Sequence, residues 1–506
     1  MGVAGRRIAE GSVWLSVSHL ASTAVAFAGS IIIARLLTPS EYGLICVALV
    51  FPGLLIGLLD FGISEALIRF TPVDEGRGYV STAFLFKTLM AVATSLVTFI
   101  LSGYMAQALG RPYVAPMIRI LSVYVIGEVV TGAASQVFTG AGEYNKVGLL
   151  SIVRSSVRII ASILLIAMGL GVYGSIWGFS IASTITLIIS LIYVSKYLRS
   201  ARFKAELFKE VIKFSLPLYI PTILGLPLSQ VVNIFLAEYA TNAELGNYSV
   251  ASNLLVPLGI VGGAMATSIY STLPLLVRRE DKMREVVRKS VIYTSIVVIP
   301  IAIGLAVFSK PLTYMIYGSQ YSLAPLYLSL SALTSLTAVL GSYVIGSYLN
   351  SIGETVKTMK ISLVNYAIYV PLAILLIPTY RVVGLITAGI LAGLISTIYG
   401  LYIVQKDLRL DIVGLRNISV LGALSLPGGL AWLISLTPMN ILHETLLKFT
   451  IYMVSLIMIL PIVIKEDEVL ELIEIAKSIK LLNHIVPNIL SIILVFQRSI
   501  NHGKKL

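Results

Sequence analysis

Apolar runs of about twenty residues recur along the whole chain, separated by short polar turns. Period-two alternation is absent from them, so they are helices rather than barrel strands. Residues 13–37, 44–69, 80–105, 114–138, 148–169, 172–195, 212–238, 246–273, 290–309, 323–349, 358–378, 382–404, 416–436 and 446–464 each read as one spanning helix. The pattern predicts an all-α polytopic membrane protein with about 14 transmembrane helices. The stretch from Ile31 to Phe70 sets the style of the rest. One run ends at Ala34-Arg35, the chain turns through Thr38-Pro39-Ser40-Glu41-Tyr42-Gly43, and a second run carries an embedded Asp60.

A degraded copy of that stretch lies downstream. Ala34-Arg35…Glu41-Tyr42-Gly43 returns as Ala237-Glu238…Glu244-Leu245-Gly246, 203 residues on. Gly142-Glu143-Tyr144-Asn145-Lys146 returns as Gly353-Glu354-Thr355-Val356-Lys357, and Ile163–Ile166 as Ile374–Ile377. Gly174 has its counterpart in Gly384, and Lys196 in Lys406. Six helices per copy is an even number, so the repeat is parallel, with its pseudo-two-fold axis along the membrane normal. The expected organisation is a six-helix lobe over 1–200, an amphipathic surface linker over 201–214, and a second six-helix lobe over 215–408. Two further helices over 409–464 and an amphipathic tail over 465–506 follow. In the linker, Phe203, Leu207, Phe208, Val211 and Ile212 share one helical face.

Composition agrees. The 506 residues are 57% hydrophobic and only 12% charged, too apolar for a water-covered surface. The net charge of +13 is a matter of topology. With the N terminus inside, thirty of the 37 lysines and arginines fall in inner loops and tails, and five in outer loops. Lys87 and Arg119 lie within spans. Positive charge marks the cytoplasmic side, so both ends are expected to be cytoplasmic in a multi-pass cell-membrane protein. The basic surface is suited to anionic lipid, not nucleic acid. The first apolar run is too long for a signal-peptide core and is expected to be retained. The lone Cys46 allows no intrachain disulfide, four histidines give no metal-ligand spacing, and no cofactor is expected. The G-x-G-x-x-G match at Gly169–Gly174 lies in a turn between two spans with no strand before it.

Charge inside a bilayer is costly and persists where it faces a cavity or a partner. Arg35, Asp60, Glu65, Lys87, Arg119, Glu128, Arg154 and Arg158 fall in or at the ends of spans, all in the first half. The second half offers Gln230, Asn233, Asn253 and Asn365, with Glu238 as its main charge. A cavity lined by Arg35, Asp60, Lys87, Arg119, Glu128, Arg154 and Arg158 would be mostly cationic and suited to a phosphate-bearing cargo. The alternative is snorkelling for the arginines near helix ends, and a structural ion pair for Asp60 with a cation such as Lys87. Pro217, Pro221 and Pro227 cluster in the seventh run, where they form either a hinge or a static kink.

The run Ala34–Gly43 followed by Leu59-Asp60-Phe61-Gly62-Ile63 resembles the start of polysaccharide-transporter flippases. These are the Wzx-like members of the multidrug/oligosaccharidyl-lipid/polysaccharide exporter superfamily. The resemblance implies two lobes that alternate between inward- and outward-open states, and transport rather than catalysis. It implies a polyprenyl-diphosphate-linked oligosaccharide as cargo, with the glycan and diphosphate in a polar cavity and the lipid tail left in the bilayer. A coupling cation, Na+ or H+, is left open, and a monomer is expected. Relatives that flip the peptidoglycan precursor use arginines in the first helix, and only Arg35 matches that usage. Multidrug antiporters carry an acidic residue there, which this first helix lacks, although Asp60 or Glu128 could substitute. A membrane glycosyl polymerase or ligase would need a large outer loop, which the short loops do not provide.

Overall fold

The computed structural model describes residues 3–58, 60–72, 77–198, 203–273, 280–437, 440–466, 468–470, 473 and 494. Among them there is no strand. Most of the expected amphipathic tail over 465–506 lies outside the described residues, as does part of the 201–214 linker. Eight helices among the described residues are long and apolar enough to cross a membrane, or up to ten if each of two bent pairs is one span.

The helices are α1 (Val3–Leu36), α2 (Pro39–Leu58), α3 (Ile63–Phe70), α4 (Arg77–Ala108), α5 (Ala115–Gly140), α6 (Tyr144–Leu165), α7 (Gly171–Val194), α8 (Ala205–Tyr239) and α9 (Asn242–Leu254). They continue as α10 (Val256–Thr272), α11 (Glu280–Val307), α12 (Ser309–Ile316), α13 (Ala324–Leu333), α14 (Ile345–Ser351), α15 (Thr355–Leu408), α16 (Leu415–Leu433) and α17 (Ile441–Val463). The chain divides into two compact units. The first comprises Met1–Asn253 with Ile316–Leu323 and Val370–Ala388, and the second comprises Leu254–Met315, Ala324–Tyr369 and Gly389–Leu506.

The core of the first unit is built where α3, α4 and α5 meet. Ile63, Ala66 and Leu67 pack with Val80, Ala83, Phe84 and Ala91, and with Val130, Ala133, Ala134, Val137 and Phe138. Small residues let these backbones approach closely, as helix packing in lipid requires. In the second unit Val287 and Val291 pack with Val344, Ile345, Tyr348 and Leu349, while Ile299 and Ile303 pack with Leu424, Ala431 and Tyr452.

The expected single span over 44–69 is two helices. Phe61 and Gly62 both take left-handed backbone angles (φ 51° and 69°), which ends α2 and restarts the chain as α3. Gly62 is required there, since a Cβ would lie 2.5 Å from the Ser215 carbonyl oxygen. Apolar patterning does not register such a break, because both segments stay apolar across it.

The repeat is visible locally inside each unit. Gly142 (φ 72°) and Gly353 (φ 84°) make the same turn. Glu143 N–H donates to the Phe138 carbonyl and Glu354 N–H to the Leu349 carbonyl, each at 2.8 Å. Lys146 then pairs with Glu143 at 2.8 Å, and Lys357 with Glu354 at 3.5 Å. Burial alone would raise the Glu143 carboxyl, but hydrogen bonds from Lys146 and Lys196 outweigh it and hold the group below its usual range. A second pair of matching turns separates expected spans. Gly171 (φ 51°, ψ −133°) starts α7, and Arg381 (φ 50°, ψ −124°) breaks α15 in nearly the same conformation. An arginine there carries strain that glycine would not. Arg381→Gly is therefore expected to stabilise the fold by about 1 kcal/mol, even after losing an exposed ion pair with Glu244 worth less than that. Thermal unfolding checks this, and a lower midpoint would refute it.

Candidate functional site

All seven cavity candidates lie in the first unit, which distributes them rather than gathering them. Asp60 sits at the break between α2 and α3. Its Oδ1 accepts from Lys87 Nζ of α4 and, at 2.8 Å, from Ser64 Oγ. Lys87 Nζ also donates to Ser64 Oγ at 2.6 Å. Lys87 is only 4% exposed, so this charge is matched within the protein and the cluster is neutral. Ser64 was not singled out from sequence, although it stands one helical turn after Asp60.

A second cluster links α5, α6 and α7. Arg154 Nη1 donates to Glu128 Oε2 at 2.6 Å. Arg158, one turn further along α6, lies with its guanidinium 4.9 Å from the Phe179 ring centroid. Tyr124 packs edge-on to the same ring at 5.6 Å. Arg158 makes no hydrogen bond among the described residues, so the cluster holds one guanidinium in excess of its carboxylate. Tyr124 and Phe179 are contributions that charge counting missed, because aromatic residues in apolar runs look like ordinary packing.

Arg35 and Arg119 join neither cluster. Arg35, in the last turn of α1, is exposed and donates through Nε to the Ile316 carbonyl at 2.7 Å. Arg119, near the start of α5, is exposed and donates through Nε to Ser102 Oγ at 2.9 Å. The three prolines fall within α8, and their side chains lie outside the described residues. Uncharged polar groups line a separate cavity of about 340 Å3 that includes Gln230, Asn233, Tyr248, Ser249, Ser252 and Cys46.

The repeated turns at the ends of α1 and α8 interlock within the first unit. Thr38 N–H and Oγ1 donate to Glu41 Oε2, both at 2.8 Å. Thr241 does the same to Glu244 Oε2 at 2.7 and 2.9 Å. Each is a threonine–glutamate capping box. Gly43 of α2 and Gly246 of α9 then face one another's backbone. A Cβ on Gly43 would meet the Asn242 carbonyl oxygen, and one on Gly246 would meet the Pro39 carbonyl oxygen. The helix ends are capped reciprocally. Arg111 donates to the carbonyls of Ala237 and, at 2.5 Å, of Ala240. Gln320 donates to those of Ala34 and Leu37 at 3.1 and 3.2 Å. Ala34 and Ala237, like Leu37 and Ala240, are repeat counterparts. The Thr-x-x-Glu spacing in both copies was the available signal, whereas Arg111 reads from sequence only as a loop charge.

Among known proteins, the chain is similar to the succinoglycan biosynthesis transport protein ExoT of Rhizobium meliloti, with 23% identity over 63% of this chain. That match spans 65% of ExoT, just under two thirds of its length. It is 21% identical to a probable low-salt glycan biosynthesis flippase, Agl15, of Haloferax volcanii, over 77% of this chain and 82% of that protein. Its fold matches a solved structure of the lipid II flippase MurJ in an inward closed conformation, with a TM-score of 0.71 and 16% identity. That match covers 88% of this chain and 98% of MurJ. Residues 32–325, more than half of the sequence, match a family described as polysaccharide biosynthesis protein, and the chain with its all-α membrane fold belongs to that family.

Proposed function

We propose that this protein is a flippase that moves a polyprenyl-diphosphate-linked oligosaccharide from the cytoplasmic to the outer leaflet by alternating access. The observation that carries the site is the excess guanidinium at Arg158. Glu128 is engaged by Arg154, so Arg158 is available to a diphosphate, with Tyr124 and Phe179 beside it. In the proposed topology twelve of about fourteen spans form two six-helix lobes over 1–200 and 215–408, joined by the 201–214 linker, with both ends cytoplasmic. Residues 409–464 add two helices, and 465–506 form a surface tail. Pro217, Pro221 and Pro227 would let α8 bend as the lobes rock. The family's relatives are named as transporters and flippases, which supports transport over catalysis. A coupling cation, Na+ or H+, would have to compete with Lys87 for Asp60, so we place coupling elsewhere or propose none. A monomer suffices for the mechanism.

Liposomes containing the protein and a fluorescent polyprenyl-diphosphate oligosaccharide test the reading. Arg158→Ala is expected to slow flipping about 10- to 100-fold, the loss of one charged contact of roughly 1.5–3 kcal/mol. Folding should survive, because the side chain makes a ring contact but no hydrogen bond among the described residues. Arg158→Lys should recover part of the rate, and Glu128→Gln should leave flipping intact. Unchanged flipping by well-folded Arg158→Ala would refute the assignment.

A further inference from the structure

The second unit holds an open cavity of about 760 Å3 that the transport reading does not use. The starts of α11 and α16 and the ends of α15 and α17 meet around it. Helix starts and ends carry opposite partial charges, so side chains decide the local potential. Six basic residues line the cavity: Arg284, Arg288, Lys289, Arg409, Arg416 and Lys465. Four carboxylates line it too, and three of them are already engaged. Arg416 donates through Nη1 and Nη2 to the two Glu468 oxygens at 2.7 and 2.5 Å. Lys289 pairs with Glu285 at 3.1 Å, and Gln405 donates to Asp411 at 2.8 Å. Asp281 is the fourth. Burial would raise the Glu468 carboxyl, but Arg416 and the Lys465 N–H outweigh it and hold it lowered, so this ion pair persists as part of the wall.

Arg288 and Arg409 stand apart from these pairs. Both are exposed, and neither side chain makes a hydrogen bond or ion pair among the described residues. Arg409 also caps α15 in a left-handed conformation (φ 50°, ψ 39°). That position normally takes glycine or asparagine. A guanidinium is thus held at the cavity against the preference of its own backbone, which is the kind of strain that accompanies a working residue.

We propose that this cavity binds a phosphorylated organic headgroup, with Arg288 and Arg409 holding its phosphate. The guanidinium fork matches phosphate oxygens in pairs. The volume falls within the range of small-molecule sites and exceeds what an inorganic ion fills. The same chemistry is offered by an anionic phospholipid and by a soluble sugar or nucleotide phosphate.

Two measurements on the full-length protein separate these sources. In the first, protein from nanodiscs of phosphatidylcholine, with and without phosphatidylglycerol, is examined by native mass spectrometry for retained lipid. In the second, delipidated protein in detergent is titrated with pyrophosphate and followed by thermal shift. Arg288→Ala and Arg409→Gly are each expected to weaken binding about tenfold. Arg409→Gly suits the left-handed backbone, so its own melting point should hold or rise, which separates lost binding from lost folding. Selective retention of phosphatidylglycerol supports a lipid headgroup, and a pyrophosphate-induced shift supports a soluble phosphate compound. No binding in either arm, or binding that both variants leave unchanged, overturns the proposal.

Discussion

Replacing Lys87 with methionine is expected to destabilise the protein by about 3 kcal/mol, one of the two largest effects anticipated for a single substitution and the low end for a broken buried pair, because the Asp60 side chain is 25% exposed. Lys87 is 4% exposed, and its ammonium lies against Asp60 Oδ1 and Ser64 Oγ. Methionine keeps the length and packing of the side chain but removes the charge. Asp60, partly exposed at the helix break, would then be an anion whose remaining protein donor is the Ser64 hydroxyl. An uncompensated buried charge is far more costly than a lost surface ion pair, which is worth about 0–1 kcal/mol.

The decisive arm is the double variant. Asp60→Asn with Lys87→Met removes both charges, and replacing a whole buried pair is often close to neutral. A double-mutant cycle on thermal unfolding should therefore show strong coupling, with the double variant more stable than Lys87→Met alone. Additive single effects would mean that the two charges do not support one another. The same cycle bears on transport. If Asp60 and Lys87 serve only to hold α2, α3 and α4 together, the double variant should flip cargo at near the original rate.

Much of this was legible in the chain and some was not, for physical reasons. Helices announce themselves through long apolar runs, because lipid leaves the backbone no other way to satisfy its hydrogen bonds. The repeat was legible through turns such as Gly142-Glu143 and Gly353-Glu354, where local geometry demands particular residues. The Asp60–Lys87 pair was open to inference, because a charge in a span calls for a partner. The break at Phe61-Gly62 was not, since a change in φ leaves hydropathy untouched. Arg154 and Arg158 look alike in sequence, yet Glu128 takes one and leaves the other to Phe179. Only the three-dimensional packing of α5, α6 and α7 separates them. Arg119 was likewise beyond charge counting, since its guanidinium is exposed near the start of α5 and bonds the Ser102 hydroxyl rather than a carboxylate.

Arg111→Ala should produce the other large effect. Its guanidinium is buried and donates to Asn242 Oδ1 at 2.6 Å, to the Leu109 carbonyl at 3.0 Å, and to the carbonyls of Ala237 and Ala240. The last two belong to the end of α8, where carbonyls have no intrahelical donor. Truncation would orphan several acceptors together, each costing about 1–3 kcal/mol if left buried. The backbone contact between Gly43 and Gly246 keeps the two turns from shifting sideways to find new donors. A total loss of about 3 kcal/mol is expected, somewhat below the simple sum because water can reach part of a helix end. Gln320→Ala is the matched control at the repeat-related place. It removes two bonds, but Tyr321 Oη still donates to the Ala34 carbonyl at 2.7 Å, so its cost should be nearer 1 kcal/mol. Thermal unfolding gives the energies, and maleimide labelling of Ala243→Cys reports whether the turns have separated. Arg111→Ala should speed labelling well beyond Gln320→Ala, and Arg111→Lys should fall between, because an ammonium cannot span two carbonyls as a fork does. Equal effects of the two truncations would mean that the junction draws its strength from the capping boxes and the glycine contact, not from the guanidinium.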